Sequence, residues 1–265
     1  MTPNATLFIA LGFYAAGTLV ARLSLFSQDR RTQHVGLGLM LVGWVSHTIW
    51  IGSICVRTGH PPITNLPEAA SFVAWTVFLA ELILFVRYRV HAASFFVDPL
   101  VLMMLTVTAV VREPFAQMPA SLRSNLFIMH IFFSTVGVAA LLVGLAFTTL
   151  AQVQDRNLRT KKRGKLWEWI PSLNVCRTLS YRTLAIGFAI YTLGILTGIL
   201  WSYRTTSELI DFRAKQIGGG VAWIFFGILL QSYISGGGYR EKRTAVISAC
   251  AFVAILVAIL GIHRV

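Results

Sequence analysis

Charge is scarce in this chain. Lys, Arg, Asp and Glu make up 12% of its 265 residues while hydrophobic residues make up 56%, and a soluble domain carries roughly twice that charged share. Water is therefore excluded as the solvent for most of the surface. Cysteine is equally sparse. Cys55, Cys176 and Cys250 stand apart, so there is no CxxC pair for a zinc clamp or redox couple and no CxxCH attachment motif. The sequence also lacks a nucleophile–base pair, a phosphate-cradling glycine loop and a metalloprotease helix motif. It shows no low-complexity tail, tandem repeat or soluble domain. Acidic residues number 10 against 23 basic ones, a net charge of +13. In a soluble protein that excess would suggest nucleic acid; here the basic residues fall between apolar runs, where they report topology.

Those apolar runs are what the chain has in place of charge. A bilayer core needs about 20 apolar residues per helix, and the pattern predicts eight spans: Ala5–Leu25, Val35–Val56, Leu66–Val86, Phe95–Val111, Leu126–Leu150, Thr183–Trp201, Gly218–Ile234 and Thr244–Ile262. The expectation is an all-α, multi-pass protein of the inner (plasma) membrane, with residues 1–265 forming one transmembrane helical domain. The first run has no basic start and is followed by Arg22, which predicts a retained helix rather than a cleaved signal peptide. Sixteen of the 23 Lys and Arg residues lie in or beside the loops after spans one, three, five and seven. The positive-inside rule then puts both termini outside. It also makes 152–182, with Arg159, Lys161, Lys162, Arg163 and Lys165, a basic cytoplasmic loop. In the outer loop 202–220, Thr205 and Glu208 have capping-box spacing, so a short interfacial helix ending at the triple glycine and a plain connecting loop both fit.

Topology sorts the six histidines. His34 and His91 fall at cytoplasmic helix ends and His60 in an outer loop. His47 lies twelve residues into the second span, about 18 Å along the axis, where an ionisable group is costly and marks a site or pathway. Gly43 leaves room beside it, though a neutral ring bonded to a neighbouring helix fits as well. His130, near the start of the fifth span, and His263, at the end of the eighth, share one membrane depth. A haem iron takes axial ligands from opposite faces, and two imidazoles from different helices supply them. His130, Ser134, Gly137, Leu141 and Gly144 follow helical spacing. That small-residue face either admits a flat macrocycle or packs against another helix. Outer cations such as Arg204 and Arg213 have the chemistry to meet carboxylates. Gly194 and Gly198 form a GxxxG, read as close helix contact. Glu81, near the end of span three, is assigned no role.

Three stretches carry a resemblance. TGHPPITNLPEAASFVAW (58–75), SNLFIMHIFFSTVGVAALLVGLA (124–146) and TLSYRTLAIGFAIYTLGILTGILW (178–201) resemble segments of the cytochrome c assembly family of integral membrane proteins, CcsA and HemX among them. Order and spacing agree from about residue 40 onward. The resemblance implies that His130 and His263 are the outer haem ligands and His47 the first membrane-embedded ligand. The second embedded position is Gln231 here. Where the family has a tryptophan-rich outer segment, this chain has WSYRTTSELIDFRAKQ (201–216), leaving only Trp201 and Trp223 nearby.

Those departures favour the shorter HemX-like branch. The expected function is non-covalent binding of b-type haem at the outer face, in cytochrome c biogenesis, beside a maturation partner protein that recognises the apocytochrome. The expected surroundings are membrane lipid, with no nucleic acid. Alternatives are a HemX-like regulator of an early haem-biosynthesis enzyme, contacting it through the 152–182 loop, and a transporter unrelated to haem.

Overall fold

A computed structural model describes residues 3–27, 30–111, 123–161, 170–206, 214–234 and 241–260. The described residues form eight α-helices, as expected: α1 Pro3–Ser27, α2 Arg30–Thr58, α3 Leu66–Tyr88, α4 Ser94–Val110, α5 Asn125–Thr160, α6 Leu173–Thr206, α7 Ala214–Ile234 and α8 Glu241–Leu260. Six are long and apolar enough to cross a membrane, and α4 and α8 are shorter apolar helices. Their outward side chains are apolar: Leu19 is 60% exposed, Val110 71% and Val246 62%. Such surfaces suit hydrocarbon rather than water.

The helices cluster into two compact units, Met1–Gln117 with Asn157–Pro171, and Met118–Arg156 with Ser172–Val265. In the first, α1 and α2 approach closely through glycine. A Cβ on Gly17 would lie 2.4 Å from the Met40 side chain, and one on Gly36 would lie 3.0 Å from the Ala21 backbone. The turn from α2 to α3 is built from the sequence 58–68. Gly59 adopts φ +75°, a left-handed conformation that suits glycine, and its N–H closes α2 on the Cys55 carbonyl at 2.9 Å. Asn65 caps α3 by accepting from the Glu68 N–H at 2.9 Å. Glu68 reaches back to accept from the Thr64 N–H and hydroxyl at 2.9 and 2.7 Å, an exchange close to a capping box. The Thr108 hydroxyl then ties the far end of α4 to the Pro67 carbonyl at 2.9 Å.

In the second unit, α5 and α6 run antiparallel with interlocking small residues. A Cβ on Gly137 would meet Tyr191 at 2.6 Å, one on Gly144 would meet Leu184 at 2.8 Å, and one on Gly187 would meet Leu141 at 2.9 Å. Each pair is displaced from the next along both helices, so the seam extends over several turns. Thr148, Ser180 and Tyr233 join α5, α6 and α7 by their hydroxyls, with Thr148–Ser180 and Ser180–Tyr233 both at 2.6 Å. The 36 residues of α5 and 34 of α6 make helices of about 54 and 51 Å, well beyond a hydrocarbon core of about 30 Å. Both ends of the 152–182 segment are accordingly helical.

The two flanks of the 202–220 segment are helical. Thr205 lies in the last turn of α6 and donates to the Trp201 carbonyl at 2.9 Å, so it does not open a helix. The triple glycine lies within α7. A Cβ on Gly218 would come 3.1 Å from Ala258 of α8, and one on Gly219 would come 3.2 Å from the Tyr191 hydroxyl. Residues 207–213 lie outside the described residues.

Candidate functional site

His130 stands in the second turn of α5, half-exposed. Its Nδ1 donates to the Gly194 carbonyl at 2.7 Å. A carbonyl only accepts, so the proton belongs to Nδ1 and the lone pair to Nε2. This is the arrangement in which histidine serves a metal, with a backbone carbonyl holding the ring from behind. The Ser134 hydroxyl lies 3.3 Å from the same Nδ1. The ring rests on α6 where only glycine leaves space: a Cβ on Gly198 would lie 2.6 Å from Nδ1 and 2.8 Å from Cε1. The GxxxG read from sequence as helix contact is therefore also the seat of the imidazole, a role its spacing alone did not disclose.

Aromatic surface adjoins this imidazole. Phe127, one turn earlier on α5, faces Trp201 of α6 with ring centroids 5.0 Å apart. Arg204, exposed, follows Trp201 on α6. Trp223 of α7 stacks on Phe188 at 5.3 Å and donates from Nε1 to the Thr192 hydroxyl at 2.9 Å, so it too lies against α6. The small-residue face of α5 is not open to a macrocycle, because α6 fills it from Ser134 to Gly144. Helix packing, the second of the two sequence readings, is what that stripe does. His263 and Arg213, both expected at the site, lie outside the described residues.

His47 belongs to the first unit. It is fully buried on α2, with Nε2 at 2.7 Å from the Ser71 hydroxyl of α3. Tyr14 meets its ring edge-on and Trp50 lies tilted beside it, both with centroids at 6.0 Å. The space expected beside Gly43 is taken by α1, whose Tyr14 N would be 3.2 Å from a Cβ there. Gln231 lies in the second unit, three residues before the end of α7. Of the remaining histidines, His60 donates from Nδ1 to the Pro61 carbonyl at 2.8 Å. His91 lies in the turn between α3 and α4, 3.9 Å from the Phe85 ring centroid. Burial, and then the charge of His34, lowers its pKa.

Residues 63–265, well over half of the chain, match the profile of the family described as cytochrome C assembly protein. The chain belongs to that family. Among its relatives, the cytochrome c biogenesis protein CcsA of Guillardia theta is 23% identical over 97% of this chain and 90% of its own length. Protein HemX of Bacillus subtilis is 26% identical over 83% of this chain and 79% of its own. In structure, this cytochrome c assembly protein resembles the cytochrome c haem lyase CcmF, with a TM-score of 0.75 at 15% identity. That likeness covers all of this chain and 47% of CcmF, so the chain spans about half of that protein. The shared helical fold follows from this comparison, and the quoted sequence segments have structural roles within it: 58–68 builds the α2–α3 turn and Ser180 joins three helices.

Proposed function

We propose that this cytochrome c assembly protein holds a b-type haem non-covalently at the outer face of the inner membrane, between His130 and His263, for delivery to a partner in cytochrome c maturation. The observation that carries the reading is the Nδ1–H bond to Gly194, which orients the His130 ring and gives Nε2 the lone pair an iron takes. A second observation supports the pairing. Gly137, Tyr191, Gly219 and, through Gly218, Ala258 form a layer across α5 to α8. His130 is seven residues from that layer toward the start of α5, and α8 runs from Ala258 toward its end at Leu260. These are the same end of the unit, and His263 follows in sequence.

Trp201, packed against the buried Phe127, offers an apolar edge to a flat ring, and Arg204 offers a cation to its propionates. When bound, haem supplies the vinyl groups for thioether attachment; the thiols come from the apocytochrome's CxxCH. This chain positions and ligates. For His47 to act as an embedded ligand its Nδ1 must do so, since Nε2 is engaged by Ser71, and Tyr14 and Trp50 must part.

Purified in detergent after expression with ample haem, the protein should show a Soret band and split reduced α and β bands. His130→Ala and His263→Ala should each weaken them, with His47→Ala tested separately. A colourless wild-type protein, or spectra unchanged in both outer-site variants, overturns the proposal. A regulatory reading in the manner proposed for the HemX branch draws on the length of α5 and α6, which continue beyond a hydrocarbon core and offer a surface braced by Asp155–Arg177 at 3.5 Å. A colourless protein whose loss changes the abundance of an early haem-biosynthesis enzyme would favour it.

A further inference from the structure

Unit one buries a polar cluster that contains no histidine. Glu81 of α3 and Asp98 of α4 are 7% and 2% exposed. Ser94, one turn before Asp98, donates to Glu81 Oε1, which sets Glu81 against the face of α4 that carries Asp98. Two carboxyl groups buried at one junction repel when both are ionised, which favours one retained proton. Glu81 Oε2 and Asp98 Oδ1 remain enclosed with no hydrogen-bond partner. Glu68, also buried, is the contrasting case: it accepts from Thr64 twice and from Asn65 Nδ2.

An independent observation comes from α1. Tyr14, Thr18 and Arg22 recur at helical spacing on one face. The hydroxyls of Tyr14 and Thr18, 0% and 5% exposed, have no partner. Tyr14 packs edge-on against Phe78 of α3, about one turn before Glu81, with ring centroids 5.4 Å apart, and Arg22 reaches Phe95 of α4, which brackets Thr18 between them. The backbone itself fixes Arg22. Pro99 in α4 has no N–H to give the Phe95 carbonyl, and Arg22 Nη2 donates there instead at 3.0 Å, with its guanidinium 5.4 Å from the Phe95 ring centroid. Four buried oxygens from three helices thus lack partners around one carboxyl pair. Buried polar atoms without a protein partner are generally matched by water or an ion.

We propose that the junction of α1, α3 and α4 is an intramembrane proton-binding site, in which Glu81 and Asp98 share one exchangeable proton and a bound water links them to the Tyr14 and Thr18 hydroxyls. With the proton in place the pair carries one negative charge, which Arg22 balances. Release breaks one carboxyl O–H bond, passes the proton to the bound water and leaves two carboxylates against one guanidinium. That uncompensated charge is costly in hydrocarbon, so release requires water to reach the site. The charged and titratable groups facing the pair are Tyr14 and Arg22 from α1, Glu81 from α3 and Asp98 from α4; α2 contributes His47, beyond Tyr14. The proposal is independent of haem ligation.

Infrared difference spectroscopy of the full chain in lipid nanodiscs tests it. The wild-type protein should show a protonated-carboxyl C=O band at neutral pH that shifts in D₂O. Glu81→Gln and Asp98→Asn should each abolish the band, and Tyr14→Phe should move it. Absence of an exchangeable band in the wild type, which needs no variant to establish, overturns the proposal. So does a band that persists in both carboxyl variants. A band unmoved by Tyr14→Phe removes the bound-water link.

Discussion

At the residue scale, the fate of one imidazole depends on the absence of a methyl group. Gly198 and Gly194 make different contributions to His130: the first yields the space and the second supplies the carbonyl. Gly198→Ala would put a Cβ within 2.6 Å of Nδ1, forcing the ring off the Gly194 carbonyl. Overpacking of this kind costs about 1–3 kcal/mol. The expected result is loss of haem absorbance comparable to that of His130→Ala, in a protein whose helical circular dichroism is retained. Gly220→Ala is the matched control, since a Cβ there meets nothing within 4 Å, and it should retain the wild-type spectrum. The place of His130 near the start of the fifth helix was legible from the sequence. Its tautomer was not, because the acceptor that decides it lies 64 residues away on another helix. Asp98 gave no signal for the same reason: it lies near the start of the fourth span, and only the packing of α4 buries it.

At the scale of elements, the start of α3 is specified by its own side chains. Asn65 and Glu68 satisfy donors that the first turn leaves open, and Pro67 sits where its missing N–H does no harm. Asn65→Ala should therefore cost about 1 kcal/mol, read as a lower midpoint in thermal or detergent-induced unfolding. Helix ends elsewhere were harder to read. Hydropathy locates hydrocarbon, whereas a helix stops only where its backbone bonding stops, and α5 and α6 continue as helices for several turns outside the apolar runs. Thr205 illustrates the ambiguity. Its spacing to Glu208 suits a helix start, yet a threonine hydroxyl is equally satisfied inside a helix by the carbonyl four residues back, which is what Trp201 provides. The triple glycine misled in a related way. Glycine ends helices when the chain must turn, but it also allows close approach, and Gly218 and Gly219 serve α8 and Tyr191.

For the whole molecule, orientation is the property to test. The distribution of basic residues predicts that 112–122 face outside and 235–240 face the cytoplasm. Single cysteines introduced into each segment of a cysteine-free variant should be labelled by an impermeant maleimide from outside in the first case and only after permeabilisation in the second. The reverse pattern would move His130 to the cytoplasmic side and remove the outer-face proposal. The number of helices, their membrane character and the family were all readable from the linear sequence, because apolar run length and local motifs are properties of neighbouring residues. Which atoms meet was not. The His130–Gly194 bond, the Ser94–Glu81 bond and the hydroxyl link through Ser180 all join residues on different helices. Their existence depends on how helices settle against one another through glycine, a result of three-dimensional packing that no local pattern encodes.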